Sequence, residues 1–394
     1  CNSCHSVFPR LNQSGEDYLR NGYQLASSRR KAAPSVSGRE QAVEGESENG
    51  NSKGVFIESV NNLFGFRLNM TPVMMETHSL QKKAPPADKD TRLTVGSPLW
   101  IQMFVAGSIY RDISFFSELE YAQSAFKFNW FYFNFTNVAD SRGLNFQVGN
   151  ISPLEFASYP NRLPQLPNIK GEVMLIKSSN GAGEESIDMS SARPGVQYYG
   201  RNDWALVYAG MSPGTKATDV NQFPQYWTGL VLRATDVAGD FEGTTATVHY
   251  YMGTDTKGTG TATQIENKFT RISPQVNIRY YDQVDVQAAY VFGKDKNRGL
   301  VTTPATEFKY KGVALEGGYM PRRMVHLGLH YDKYSSDNKL ASGKPVIEYH
   351  RIVPAVTYVI NQNFRASVYY EKNLLDIPSA QKVDKLYLNL RTMF

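Results

Sequence analysis

From about residue 55 to the end, apolar and polar residues alternate with a period of two. Between Val284 and Phe292, one face carries Val284, Val286, Ala288, Tyr290 and Phe292, and the other carries Asp285 and Gln287. The last segment sets Leu386, Leu388, Leu390 and Phe394 against Lys385, Tyr387, Asn389 and Arg391. In 324–334, Val325, Leu327, Leu329 and Tyr331 oppose Met324, His326, Gly328, His330 and Asp332. Such alternation is the mark of strands with two unlike faces. It predicts strands near 64–75, 98–110, 113–122, 125–136, 143–150, 196–200, 202–212, 226–237, 244–253, 268–280, 284–293, 306–318, 324–334, 346–359, 364–372 and 384–394.

The connections choose between a sandwich and a barrel. Arg111-Asp112, Arg201, Tyr281-Asp282-Gln283, Met320-Pro321-Arg322-Arg323 and Ile360-Asn361-Gln362-Asn363 are short. They alternate with long polar segments at 76–97, 151–195, 254–267, 294–305, 335–345 and 373–383. Short turns on one side and long loops on the other describe an all-β, transmembrane antiparallel β-barrel of about 16 strands, apolar face to lipid and polar face to the lumen. With an even strand count both ends of the barrel lie on the short-turn, periplasmic side. The 123–124 connection is short for an outer loop, and the Pro-rich 153–167 stretch is compatible with an inward constriction or an outer cap.

Composition agrees. Hydrophobic residues make up 41% of the 394, and no run of about 18 apolar residues exists to make a helical span. Aromatics reach 12%, with 24 Tyr and 21 Phe, while the mean hydropathy is −0.41. The net charge of +5 is not clustered in the manner of a nucleic-acid site. No Ser-His-Asp arrangement, glycine-rich phosphate loop or HExxH pair is present, so hydrolase and nucleotide chemistry have no support.

The N-terminus carries different chemistry. Cys1-Asn2-Ser3-Cys4-His5 is C-x-x-C-H, the pattern of covalent c-type haem attachment: two thiols for the porphyrin vinyl groups, and an imidazole as proximal iron ligand. Cys1 and Cys4 are the only cysteines, which leaves no disulfide framework and no second zinc pair. A bare or redox-active thiol pair is the other reading. Residues 1–26 form the cytochrome segment, with Asn12 or Ser14 capping a short helix that ends at Asn21-Gly22. So small a segment needs a porphyrin or a protein wall to complete its core. Residues 27–54, basic then acidic with no apolar period, read as a flexible tether, and 55–394 as the barrel. Covalent haem attachment requires export, so a leader ahead of residue 1 is expected.

Cys1-Asn2-Ser3-Cys4-His5, followed by Pro9, Leu11-Asn12, Gly15 and Asn21-Gly22-Tyr23, resembles the fused monohaem cytochrome c–porins of the outer membrane of iron-oxidising bacteria. The close match covers about the first 25 residues, and the terminal Phe394 resembles an outer-membrane assembly signal. The resemblance implies one covalent haem c on Cys1 and Cys4 with His5 beneath the iron. It also implies electron transfer from an extracellular donor such as Fe(II) to a periplasmic carrier. Because some 25 residues cannot bury a porphyrin alone and the segment is tethered to its own barrel, the haem segment is expected inside the barrel or at its periplasmic mouth. A general diffusion porin with an N-terminal cysteine pair of minor or redox role is the alternative.

Residues 6–69 contain neither Met nor His, so the sixth iron position is open, filled by an unusual donor such as Lys31 or Tyr23, or supplied by the barrel. Alternation points Met70 at lipid, and His78 falls in the first long loop. His326 is the preferred barrel ligand, with Met324 and His249 behind it. As ordinary barrel residues these side chains would instead line a hydrated pore, as would Glu118 and Glu120, which as hard oxygen donors could also attract Fe²⁺.

Overall fold

The computed structural model describes residues 10–11, 13–23, 64–79, 89–96, 99–110, 112–122, 125–166, 169–178, 188–214, 223–234, 239–258, 261–281, 283–302, 307–339, 343, 345–361, 363–375 and 382–393. Cys1, Cys4, His5, Lys31, the 27–54 tether and Phe394 lie outside the described residues.

Among the described residues the α-helix α1 (Gln13–Arg20) is followed by the strands β1 (Phe64–Ser79), β2 (Lys89–Val95), β3 (Leu99–Tyr110), β4 (Ile113–Ala122), β5 (Ala125–Phe135), β6 (Asn145–Ile151), β7 (Arg193–Arg201), β8 (Ala205–Ser212) and β9 (Gln225–Arg233). The wall continues through β10 (Thr245–Lys257), β11 (Ile265–Tyr280), β12 (Val284–Asp295), β13 (Phe308–Arg322), β14 (Val325–Ser336), β15 (Glu348–Val359), β16 (Phe364–Asn373) and β17 (Lys382–Met393). From β3 onward each strand pairs antiparallel with the next, and β1 pairs with β17 on one side and with β2 and β3 on the other, so the sheet closes on itself. The 17 strands make sixteen staves. β2 pairs with the second half of β1, from Val73 to Ser79, and β3 with the first half, from Phe64 to Met70. They are one stave interrupted at Gly96, whose positive φ of 73° turns its N–H onto the Pro72 carbonyl at 2.8 Å.

All sixteen expected strands are present, shifted at their ends by a few residues. The connections alternate as expected except at residues 123–124, where two residues join β4 to β5 at the long-loop end, and at 136–144 and 234–244, which are longer than the other connections of the short-turn end; the start of β1 and the end of β17 share that short-turn end. β1 runs on to Ser79, which places His78 on a strand and not in the first long loop. Met324 sits in the turn between β13 and β14 and is 45% exposed. It therefore leaves the lumenal face to which alternation assigned it, because the pairing shifts between Tyr319 and Arg322 at that turn.

Exposed apolar side chains define the exterior. Leu327 and Leu329 on β14, Leu230 and Leu232 on β9, Phe292 on β12 and Leu386 on β17 all point outward. Met70 belongs to the same outward set as Phe64 and Phe66. On β5 a bulge between Phe128 and Trp130 places two consecutive residues inward. Phe126 and Phe128 are exposed before it, and Phe131, Phe133 and Phe135 after it. The bulge resets the parity that a strict period of two would have carried through.

The interior is a packed core. The largest fully buried side chains include Trp227, Tyr132, Tyr159, Tyr199, Tyr208, Tyr251, Tyr369, Phe269 and Leu154. Most of these rings project from the inner wall. Lumenal glycines give them room: a side chain at Gly210 would collide with the Trp227 indole, and one at Gly229 with the Tyr208 ring. The segment between β6 and β7 supplies the other half of the core. Leu154, Phe156, Tyr159, Leu166, Val173 and Met174 are all buried against the wall. Hydrogen bonds pin this segment inside, with Tyr159 N–H donating to Gln275 Oε1 at 2.7 Å and Leu166 N–H to Glu316 Oε1 at 2.6 Å. Of the two readings open for this stretch, the inward constriction is the one realised.

Candidate functional site

The site is built where α1 meets the inner wall at the short-turn mouth. Gln13–Arg20 is an eight-residue helix, too short to hold its shape alone in water. Its C-terminus is closed by a Schellman pair: Gly22 N–H donates to Leu19 O at 2.9 Å and Tyr23 N–H to Tyr18 O at 2.9 Å, with Gly22 at φ 67°. Gly22 also touches the wall, and a Cβ there would lie 2.5 Å from Thr136 Cγ2. The helix end expected at Asn21-Gly22 is found there.

Charge fastens the segment. Arg10 Nε donates to Asp285 Oδ2 at 2.8 Å, and its Nη2 to Asn277 Oδ1 at 2.9 Å. Arg279 Nη2 donates to Glu16 Oε1 at 2.6 Å and to the Leu11 carbonyl at 2.8 Å. Arg20 pairs with Glu16 at 3.2 Å, Arg233 with Asp17 at 2.8 Å, and Arg201 Nη2 donates to Asn21 Oδ1 at 2.7 Å. Burial works to raise the Glu16 carboxyl, but Arg279, Arg20, Arg10 and Arg233 outweigh it and hold the group at about 2. All these wall partners stand at the short-turn ends of their strands.

Tyr23 closes the segment. Its ring stacks on Phe116 with centroids 4.7 Å apart, and its hydroxyl lies 2.9 Å from Tyr132 Oη and accepts from Arg162 Nη2 at 3.0 Å. Burial, with Glu155 nearby, pushes the phenol up to about 12. A hydroxyl so engaged is poorly disposed to serve as an iron ligand.

Between α1, the inner faces of β1 and β3–β5, and the inward segment lies a cavity of about 710 Å³, within the usual size range of ligand pockets. Tyr18, Tyr23, Phe104, Phe116, Trp100 and Trp130 supply aromatic walls. Arg162 lies 4.7 Å over the Trp130 ring, and Arg67 5.2 Å over Trp100. Arg162 is paired behind with Glu155 at 2.7 Å; burial raises that carboxyl, against the pull of Arg162 and a hydrogen bond from Tyr132. Glu118 and Glu120 also face the cavity. They are tied to amides, Gln102 Nε2 donating to Glu118 at 2.5 Å and Asn129 Nδ2 to Glu120 at 2.5 Å. The β5 bulge is what brings Asn129 inward to reach them.

The barrel histidines lie elsewhere and are not hydrated pore residues. His249 is fully buried, its Nδ1 2.9 Å from Tyr208 Oη. His326 is buried beside Gly318 and Gln165, and His330 Nε2 is 2.6 Å from Asp332 Oδ2, which Arg351 also holds at 2.9 Å. None of the three lines the cavity. Met393, which sequence reasoning passed over, does. Parity with the lumenal residues Tyr387, Asn389 and Arg391 could have found it. Among the described residues no three His, Cys, Asp or Glu side chains come together as a metal site, so Glu118 and Glu120 remain a pair.

Sixteen staves, long connections at one end and mostly short ones at the other, an apolar exterior and an inward segment after the fifth stave are now in place. The chain has the fold of bacterial outer-membrane porins. It is similar to the anion-selective porin from Comamonas acidovorans, with TM-score 0.58 and 11% identity over 84% of this chain and 98% of that one. It is also similar to the outer membrane channel DcaP of Acinetobacter baumannii (TM-score 0.54, 11% identity, 84% and 96% covered). A loop L8 deletion mutant of Vibrio cholerae OmpT matches with TM-score 0.53 and 15% identity over 84% and 98%. No protein-family model matches the chain, and no curated protein does. This porin fold ordinarily surrounds water; here its inner wall is covered by α1 and the inward segment.

Proposed function

We propose that this porin-fold protein resides in the bacterial outer membrane and carries electrons through a lumen occupied by its own N-terminal segment. One observation supports the reading above the others. Residues 10–11 and 13–23, which begin five residues after His5 of C-x-x-C-H, are fixed by ion pairs inside the barrel at the short-turn mouth, beside an aromatic cavity large enough for a cofactor. In outer-membrane barrels the short turns face the periplasm. Cys1, Cys4 and His5 would hold the group, and a c-type haem supplies one-electron chemistry. The aromatic walls and the arginines suit a planar, anionic, largely apolar molecule. The ion pairs to the wall fix the segment's position, so that one electron taken from an external donor, with Fe(II) becoming Fe(III), would pass to an oxidised periplasmic carrier, which is reduced by that electron.

The test uses the intact protein in liposomes. A haem stain on a denaturing gel and a reduced-minus-oxidised spectrum should report one covalent haem per chain, and external Fe(II) should reduce it. A colourless protein with two free thiols removes the reading.

A second reading, a diffusion channel, is favoured by the porin fold itself and by the channel descriptions of its structural neighbours. Conductance separates the two. High conductance of the intact chain in planar bilayers supports the channel. Low conductance that rises when residues 1–54 are deleted supports the occupied lumen.

A further inference from the structure

We infer that the 710 Å³ cavity is the seat of the haem, that Met393 is the iron's outer axial ligand, and that Arg67 and Arg162 face the propionates. This rests on the haem reading above and goes beyond it by assigning residues. Three observations carry it. First, the cavity borders the segment that bears the attachment motif: Leu11, Gly15, Tyr18, Leu19 and Tyr23 form one of its sides, and Leu11 is only six residues from His5. Six residues of extended chain reach roughly 20 Å, enough to bring a group held at His5 into the cavity.

Second, the usual outer ligands of a c-type iron are Met and His. Among the described residues facing the cavity, Met393 is the one of either type. It stands at the end of β17 opposite Arg67 on β1, where the barrel closes, and its backbone is held by a hydrogen bond from Met393 N–H to Asn363 O at 2.8 Å. His326, His249 and His330 are buried and are not among the residues that line this space.

Third, the charges facing the cavity suit a dianion. Arg67, Lys127, Arg162 and Lys170 face it beside Glu118 and Glu120, an excess of two positive charges that the Arg162–Glu155 pair reduces to one, so cations still outnumber carboxylates where the two propionates of a haem would lie. The two arginines already lie flat on aromatic rings, Arg67 over Trp100 and Phe104 and Arg162 over Phe116 and Trp130. Arg162 Nε is buried and has no hydrogen-bond partner among the described residues.

The experiment uses the full-length haem-loaded chain. Met393→Ala should convert a low-spin ferric spectrum to high-spin and lower the potential, since thioether ligation favours the ferrous iron. Met393→His should restore the low-spin spectrum at a potential below that of the parent. Arg67→Gln and Arg162→Gln should each leave the spectrum low-spin and make reduction about tenfold harder, about 59 mV for one electron, because a cation near the iron favours the less positive ferrous state. Arg67→Lys should recover most of that shift. The heat-dependent gel migration of the folded barrel checks that each variant is assembled. A spectrum unmoved by Met393→Ala, or moved by His326→Ala instead, overturns the ligand assignment. Potentials unmoved by both arginine variants overturn the seat. A colourless parent protein overturns the haem reading itself, a result distinct from either.

Discussion

Replacing Glu16 should release the N-terminal segment from the barrel. Its carboxylate is 13% exposed and sits among Arg10, Arg20 and Arg279, with Arg233 close by. The folded protein holds this carboxyl at about 2, against an ordinary value of 4.5. That difference corresponds to about 3 kcal/mol favouring the docked, ionised state. Removing one member of a buried ion pair costs about 3–5 kcal/mol by another route, so the two figures agree. Because the folded value is the lower one, the contribution is complete above pH 4.5 and is lost as pH falls through about 2. A change of 3 kcal/mol raises the undocked fraction on the order of a hundredfold. Trypsin reads that fraction directly. Arg10 and Arg20 are 2% and 8% exposed when docked, and cleavage after them requires release. Glu16→Gln should therefore be clipped within the first 20 residues about a hundredfold faster than the parent at pH 8, with the barrel intact. Hydrogen exchange of α1 in the parent should rise between pH 4.5 and 2. Equal clipping rates for Glu16→Gln and the parent, under conditions where deletion of residues 1–54 raises conductance, would refute the ionic fastening.

Gly22→Ala should loosen the same segment by about 1–2 kcal/mol, since the residue needs φ 67° and its new methyl meets Thr136; faster trypsin clipping with an unchanged barrel melt checks it. Tyr208→Phe leaves both His249 ring nitrogens without a partner among the described residues and should lower barrel stability by about 1–3 kcal/mol, measured by urea unfolding from vesicles. Leu329→Arg puts a charge on the lipid face near the middle of β14 and should cost about 2–4 kcal/mol in the same assay, whereas Leu329→Ile should be nearly neutral. Shortening the inward segment between residues 153 and 192 should raise conductance beyond what deletion of residues 1–54 gives; an unchanged current would show that the segment does not narrow the lumen.

The alternation of Val284 to Phe292 and of Leu386 to Leu390 was sufficient to assign strands, faces and stave number, because side-chain direction in a strand follows from chain parity alone. The same local logic located α1 and its glycine stop. Parity fails where a bulge or a turn intervenes, as at Asn129 and Met324, since one extra residue exchanges the two faces. The inward course of Leu154 to Met174 was not legible either. The partners that hold it, Gln275, Thr247 and Glu316, are 89 to 150 residues away in the chain and meet it only once the barrel has closed. For the same reason polar positions that read as pore lining became buried structure: His249 beside the Tyr208 ring, His326 beside Gln165 of the inward segment, and His330 against Asp332. The cavity, too, is a product of closure. Arg67, Trp100 and Met393 come from opposite ends of the barrel sequence and share one space because β1 hydrogen-bonds to β17, a pairing that no local pattern encodes.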